Sequence, residues 1–234
     1  MKLYQMTYPE TGITYRLIYI DIERKIDGHL FMFGLDRGNG YERFIVDKNL
    51  QLAAERYGAV NIDEADILKE IFREKDSVMI VGYTTAELEW INSLACRFGF
   101  SIPESTMYMD AKKGAQRWAA TKRRGELRKL PRLSVTRHRF NQPSIRSLVS
   151  VVRLIGIEPP SDYGYAITSG RFEYAARRLN LRGSFDNLTR VTKGKLTKAM
   201  KHNQFDVESM VELVGLVFQQ KRSALISSIK SPIV

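Results

Sequence analysis

Tyr15-Arg-Leu-Ile-Tyr-Ile-Asp-Ile-Glu23 reads as a buried β-strand that ends in two carboxylates. Strand side chains alternate between faces, so Ile18, Ile20 and Ile22 take one face and Leu17, Tyr19, Asp21 and Glu23 the other. Asp21 and Glu23 therefore point the same way at the strand's end. Two like charges that close repel each other unless something positive lies between them. A divalent cation is the simplest answer. On its own the stretch is equally readable as a strand running into a solvated charged turn, Asp21-Ile-Glu-Arg-Lys25.

Outward from this strand the pattern is that of a meander. Asp27-Gly28 marks a tight turn, His29–Leu35 a second apolar strand, Asp36-Arg-Gly-Asn-Gly40 a hairpin loop and Tyr41–Asp47 a third strand. Asn61-Ile-Asp-Glu64 resembles a helix start with Asn61 as cap, followed by Ala65, Leu68, Ile71 and Phe72 at helical spacing. Ser77–Val81 is a short apolar strand that turns into a helix, Ala86–Phe98, closed by Gly99. Met107-Tyr-Met109 suggests one more strand. Helices are expected over Ser144–Ile155, Arg171–Leu179 and Phe205–Gln219, with a basic loop through Lys195 before the last and a tail over 221–234. Val207, Met210, Val211, Val214 and Val217 form the apolar stripe of that last helix. The order predicts an α/β protein, a mixed sheet with helices packed on it.

Composition narrows the class. With 234 residues, 44% hydrophobic and 27% charged, the chain has the make-up of a globular protein with a sizeable core. Its apolar runs fall far short of the roughly 20 residues of a membrane span, and its N-terminus lacks the apolar stretch of a signal peptide, so a cytoplasmic protein without a membrane partner is expected. The single cysteine, Cys96, excludes an intramolecular disulfide or a cysteine-cluster zinc site, and its place in a helix predicts a buried thiol. The net charge of +11 is uneven: residues 112–139 hold eleven Lys or Arg against one acid, Glu126. A basic block on an otherwise balanced chain points to a polyanion. Lys122, Arg123, Arg124, Arg128, Lys129, Arg132, Arg137 and Arg139 are its candidate phosphate contacts, and Arg171, Arg177, Arg178, Arg182 and Arg190 extend the basic rim. Trp118 and Phe140 fit base stacking or the core.

Acids recur where a site would form. Glu87 opens the helix after the Val78–Val81 strand, and Asp206 opens the last strong helix with His202 one turn before it. Each acid is also what a helix macrodipole favours at its N-terminus, and His202 also fits a plain surface histidine. Asp110 is a spare carboxylate near a strand end.

Together these residues resemble the DEDD 3′–5′ exonucleases, a branch of the ribonuclease H-like fold. Asp21-Ile-Glu23 is similar to their first motif, Ile80-Val-Gly-Tyr-Thr-Thr-Ala-Glu-Leu-Glu-Trp-Ile91 to the second, and His202-Asn-Gln-Phe-Asp-Val-Glu-Ser-Met210 to the third, with Ser147–Gly156 like the helix between. The resemblance spans roughly residues 13–220. It implies one ribonuclease H-like domain, an antiparallel three-strand meander plus parallel strands, with a basic insertion around 112–140. It further implies that Asp21, Glu23, Glu87 and Asp206 hold two Mg²⁺ or Mn²⁺ ions about 3.5–4 Å apart, with His202 accepting the proton of the attacking water. The implied substrate is DNA or RNA, as single strands or 3′ ends. Two departures stand out: Glu87 replaces the usual Asp, and His202 precedes Asp206 by the spacing typical of the Tyr subclass. They support a rival expectation, a catalytically degenerate nucleic-acid-binding module on the same fold. A structure-selective endonuclease is the other.

Overall fold

Strand β1 (Gln5–Thr7) lies antiparallel against the start of β2 (Thr14–Arg24), the strand that carries Asp21 and Glu23. The computed structural model describes residues 2–25, 27–73, 77–136, 139–141, 143–144, 146–160, 163 and 167–230; at 121, 122, 124, 133–136 and 139–141 it describes the backbone alone. From β2 the chain folds back as β3 (Leu30–Asp36) and β4 (Tyr41–Ile45), passes the short β5 (Val60–Asn61) and α1 (Ile67–Ile71), and returns as β6 (Val78–Gly82). Helix α2 (Ala86–Phe98), β7 (Met107–Asp110), α3 (Ala111–Lys122) and α4 (Arg124–Lys129) follow. Then come the hairpin β8 (Leu133–Thr136) and β9 (Arg139–Asn141), α5 (Leu148–Arg153), α6 (Thr168–Arg182), α7 (Arg190–Ile226) and β10 (Ile229–Lys230).

The main sheet runs in the order β10-β7-β6-β2-β3-β4-β5. Strands β2, β3 and β4 are antiparallel, while β6 and β7 run parallel to β2. This is the expected α/β mixed sheet of ribonuclease H-like arrangement. The alternation along β2 holds. Leu17 and Tyr19 pack under α7 with Val207, Met210 and Val214, whereas Ile18 and Ile20 pack on α2 with Trp90, Ile91 and Leu94. A third cluster joins Phe31, Met32 and Ile45 to Phe172 and Leu179 of α6 and Leu196 and Met200 of α7. No helix among the described residues is long and apolar enough to cross a membrane.

Several local expectations change. Asn61 lies in β5 rather than capping a helix, and α1 starts only after a 3₁₀ turn over Glu64–Asp66. Helix α5 is six residues long, shorter than the sequence pattern implied. The expected basic loop through Lys195 shrinks to 183–189, with α6 reaching Arg182 and α7 starting at Arg190: Thr189 caps α7, accepting from the Thr192 N–H, and α7 then runs 37 residues with a kink at the non-helical Lys221. Asp206 therefore sits in mid-helix, not at a helix start. Within the expected tail, Ala224 and Leu225 are buried and β10 pairs with β7. Cys96 is exposed, not buried, since it falls on the outer face of α2.

Candidate active site

The sheet's parallel strands bring their carboxyl ends to one edge. In register, Tyr19 of β2 lies beside Val81 of β6 and Gly82 beside Asp110 of β7. Asp21 and Glu23 thus project past the end of β6, at the edge where Glu87 begins α2. Crevices beyond strand ends are where open α/β sheets place their sites. The face that carries Leu17 and Tyr19 also carries Asp21 and Glu23, and α7 crosses that face. Its middle supplies His202, Asn203 and Asp206.

These groups act on one another. Glu23 and Glu87 are buried, at 8% exposure each, and the Asp206 side chain is 15% exposed. Burial first, then the charges of Asp206 and Glu87, push the Asp21 carboxyl well above its usual pKa, against the opposing pull of His202 and Asn203. Glu23 is raised by burial, Asp21 and Asp206. Burial also raises Glu87, although hydrogen bonds from Thr84 and Tyr108 oppose it. The groups acting most on these three acids include no lysine or arginine among the described residues. The acids form a mostly buried cluster in which burial and mutual repulsion disfavour the ionised forms.

Three of the four carboxylates, Asp21, Glu87 and Asp206, also have protein partners. The Asn203 side-chain N–H donates to Asp21 Oδ2 at 2.6 Å, and Tyr41 donates its hydroxyl to Asn203 Oδ1 at 2.6 Å. Gly34 stands opposite Asp21 in β3, and a Cβ there would run into Asn203 Oδ1 and the Tyr41 ring. The missing side chain is what lets the Asn203 amide lie across the strands. Glu87 Oε2 accepts from the Thr84 N–H at 3.2 Å, the Thr84 hydroxyl at 3.1 Å and the Tyr108 hydroxyl at 3.4 Å. Tyr163 donates to Asp206 Oδ1 at 2.6 Å, and its ring stacks on His202 at 3.9 Å between centroids. His202 Nε2 lies 3.3 Å from Asp206 Oδ2, and its Nδ1 lies 2.9 Å from the Tyr163 carbonyl. Burial alone would lower the His202 pKa; Asp206, the Tyr163 carbonyl and Asp21 outweigh it, and the imidazole is raised.

The donor set fits Mg²⁺ or Mn²⁺ in kind, being hard carboxylate oxygens with unbalanced charge. As the side chains stand, no three His, Cys, Asp or Glu among the described residues gather into a group that could hold an ion. Asp21 is turned to Asn203, Glu87 to Thr84 and Tyr108, and Asp206 to Tyr163 and His202. Asp110 has a different task. It caps α3, accepting from the Lys113 N–H at 3.0 Å.

The expected basic surface is partly visible. Arg128, Lys129 and Arg132 are exposed, while Arg123 is half-buried and bound to Glu126, the Leu154 carbonyl and the Trp118 ring. The side chains of Lys122, Arg124 and Arg139, and the whole of Arg137, lie outside the described residues. Trp118 is core, donating to Gln220 Oε1 at 2.9 Å. The sequence reading missed Tyr41, Thr84, Tyr108, Tyr163 and Asn203; only Thr84 and Asn203 lay inside a motif. Set against models of known protein families and against curated proteins, the chain matches none.

Proposed function

We propose that this protein is a metal-dependent nuclease of the DEDD 3′–5′ exonuclease type, hydrolysing phosphodiester bonds of DNA or RNA. One observation carries the reading: Asp21, Glu23, Glu87 and Asp206, spread over 186 positions of sequence, interact at one sheet edge beside His202. Such a cluster is costly without a counter-charge, and a divalent cation supplies one. Asp21, Glu23, Glu87 and Asp206 are the residues that would hold Mg²⁺ or Mn²⁺, which when bound polarises the phosphate and lowers the pKa of water. His202, beside the Asp206 carboxylate, would take up the proton of the attacking water from its neutral form. Asn203 and Tyr163 hold Asp21 and Asp206 in place. A cytoplasmic location goes with this reading.

A binding module without catalysis is the second reading, favoured by the absence of a closed ion-holding group among the described acids and by the ties on Glu87. Digestion of 5′-labelled single-stranded DNA and RNA with Mg²⁺ or Mn²⁺, wild type beside Asp21→Ala, separates the two. A metal-dependent ladder that vanishes in the variant supports the nuclease; binding without cleavage supports the module. A substrate with a blocked 3′ end stalls an exonuclease and not an endonuclease.

A further inference from the structure

Helices α6 and α7 form an antiparallel pair joined by a short connection, and their contact carries charge that the sequence reading divided between a helix and a loop. Residues 171–201 hold nine Lys or Arg against two acids. Both acids face away to partners of their own, Glu173 to Lys25 at 3.2 Å and Asp186 to Arg56 at 3.3 Å. On α6, Arg171, Tyr174 and Arg178 are spaced three and four apart and share a face. On α7, Lys195, Lys198, His202 and Asp206 do the same, so the basic stripe runs directly into the site. The two faces meet: Lys195 Nζ lies 3.8 Å from the Tyr174 ring centroid and Arg178 lies 5.4 Å from it. The Arg178 hydrogen bond also draws the exposed Tyr174 hydroxyl below its usual pKa. Nearer the carboxylates, Arg171 donates to the Tyr163 carbonyl at 3.3 Å, the same oxygen that meets His202 Nδ1.

From Lys195 to Asp206 is about 16 Å along the helix, the reach of a few nucleotides. The basic segment expected from sequence begins beside the site, where the Lys112 N–H donates to the Tyr83 carbonyl, and then runs the other way. Trp118, toward the end of its helix α3, meets α7 at Gln220, about 21 Å beyond Asp206.

We infer that the lane formed by Arg171, Tyr174, Arg178, Lys195 and Lys198 holds the phosphodiester backbone of a single-stranded polynucleotide and leads it to Asp206 and Asp21. The inference rests on the nucleic-acid reading above. A single strand is chosen over a duplex because the carboxylates at the lane's end are mostly buried, open to one strand's end more readily than to a paired helix. Phosphate neutralisation by such cations is the main affinity term and gives binding a measurable salt dependence.

The test is fluorescence anisotropy of labelled oligothymidylate with full-length protein in EDTA, over a salt series. Arg178→Gln/Lys195→Gln is compared with Arg128→Gln/Lys129→Gln and wild type, each checked for an unchanged melting temperature. The expected result is an affinity loss of about tenfold for the first pair, with a salt slope shallower by about 1.4, from 0.7 per phosphate contact. The second pair should lose less, and a duplex of the same length should compete poorly. Wild-type affinity in the Arg178/Lys195 variant, equal competition by duplex, or no binding by wild type overturns the inference. Binding needs neither metal nor cleavage here. A protein that binds through this lane and never cuts refutes the nuclease reading alone; one that cuts while the variant binds as wild type refutes the lane alone.

Discussion

Asn203 reaches across the sheet to Asp21, donating to its Oδ2 at 2.6 Å from a fully buried position on α7. Tyr41 completes the chain from the other side. Removing the amide leaves a half-buried hydroxyl and a half-buried carboxylate short of a partner, and each orphaned group costs about 1–3 kcal/mol. We expect Asn203→Ala to lower unfolding stability by about 2–4 kcal/mol in urea titration. Gly34→Ala should cost about 1–3 kcal/mol although it only adds a methyl, because that methyl meets Asn203 and Tyr41. Stabilities within a few tenths of wild type for both would show that the bridge does not form.

Asp21, Glu23 and Glu87 all have raised pKa values in the fold. A raised carboxyl binds more protons folded than unfolded, so stability falls as pH rises from about 4 toward the folded pKa values. The metal-free protein should therefore melt higher at mildly acidic than at mildly alkaline pH. At the alkaline end Mn²⁺ should restore stability. A ligand at a hundred times its Kd adds about 2.7 kcal/mol, or roughly 5–10 °C for a chain of this size. Differential scanning calorimetry with and without EDTA checks both signs. A melting temperature indifferent to Mn²⁺ and Mg²⁺ at alkaline pH would argue for the binding module.

What the sequence revealed followed local periodicity. The alternation along Tyr15–Glu23 assigned both faces of β2 correctly, and Gly99 closed α2 where expected. The front of α7 was hidden because Lys193, Gly194, Lys195 and Lys198 interrupt the stripe of Leu196, Ala199 and Met200, which is apolar only on the side facing α6 and β3. The acids were visible as residue types at strand and helix ends. Their partners were not, because Tyr163 meets Asp206 across 43 residues and Tyr41 meets Asn203 across 162, and no spacing rule links such pairs. Asn203 stood beside His202 in the quoted motif and read as a spacer.

Cys96 marks the outer face of α2. An exposed thiol reacts without unfolding, so one equivalent of Ellman's reagent should be consumed in native buffer at nearly the rate seen in denaturant. Reaction only after unfolding would put the cysteine back in the core.

Tyr163 and His202 separate positioning from proton transfer. Tyr163→Phe keeps the ring on His202 and removes the hydroxyl bond to Asp206. Losing one hydrogen bond to a charged group, worth about 1.5–3 kcal/mol, should slow single-turnover cleavage about 10- to 150-fold. His202→Asn removes the base and should cost about 10²–10⁴-fold. Oligonucleotide affinity in EDTA should be unchanged in both. Equal losses in the two variants would mean that His202 only shapes Asp206.

Glu87 decides between a site residue and a helix-end charge. As a plain N-terminal acid it would favour the α2 macrodipole, and Glu87→Gln would then lose about 0.3–1 kcal/mol and leave any cleavage intact. Its burial and its proximity to Asp21 predict the opposite pairing of effects. Gln keeps an oxygen for Thr84 and Tyr108 but removes a buried charge, so the metal-free variant should melt above wild type at alkaline pH. Cleavage should fall at least a hundredfold and the stabilisation by Mn²⁺ should shrink. Glu87→Asp, with the acid usual in the resembling family, shortens the arm and draws the carboxylate away from the Thr84 hydroxyl and Tyr108. It should therefore lose activity as well, because here the longer side chain is fitted to Gly82, where a Cβ would collide with the Tyr108 hydroxyl and come within 2.9 Å of Glu87 Oε2. Full activity in Glu87→Gln would remove Glu87 from the site.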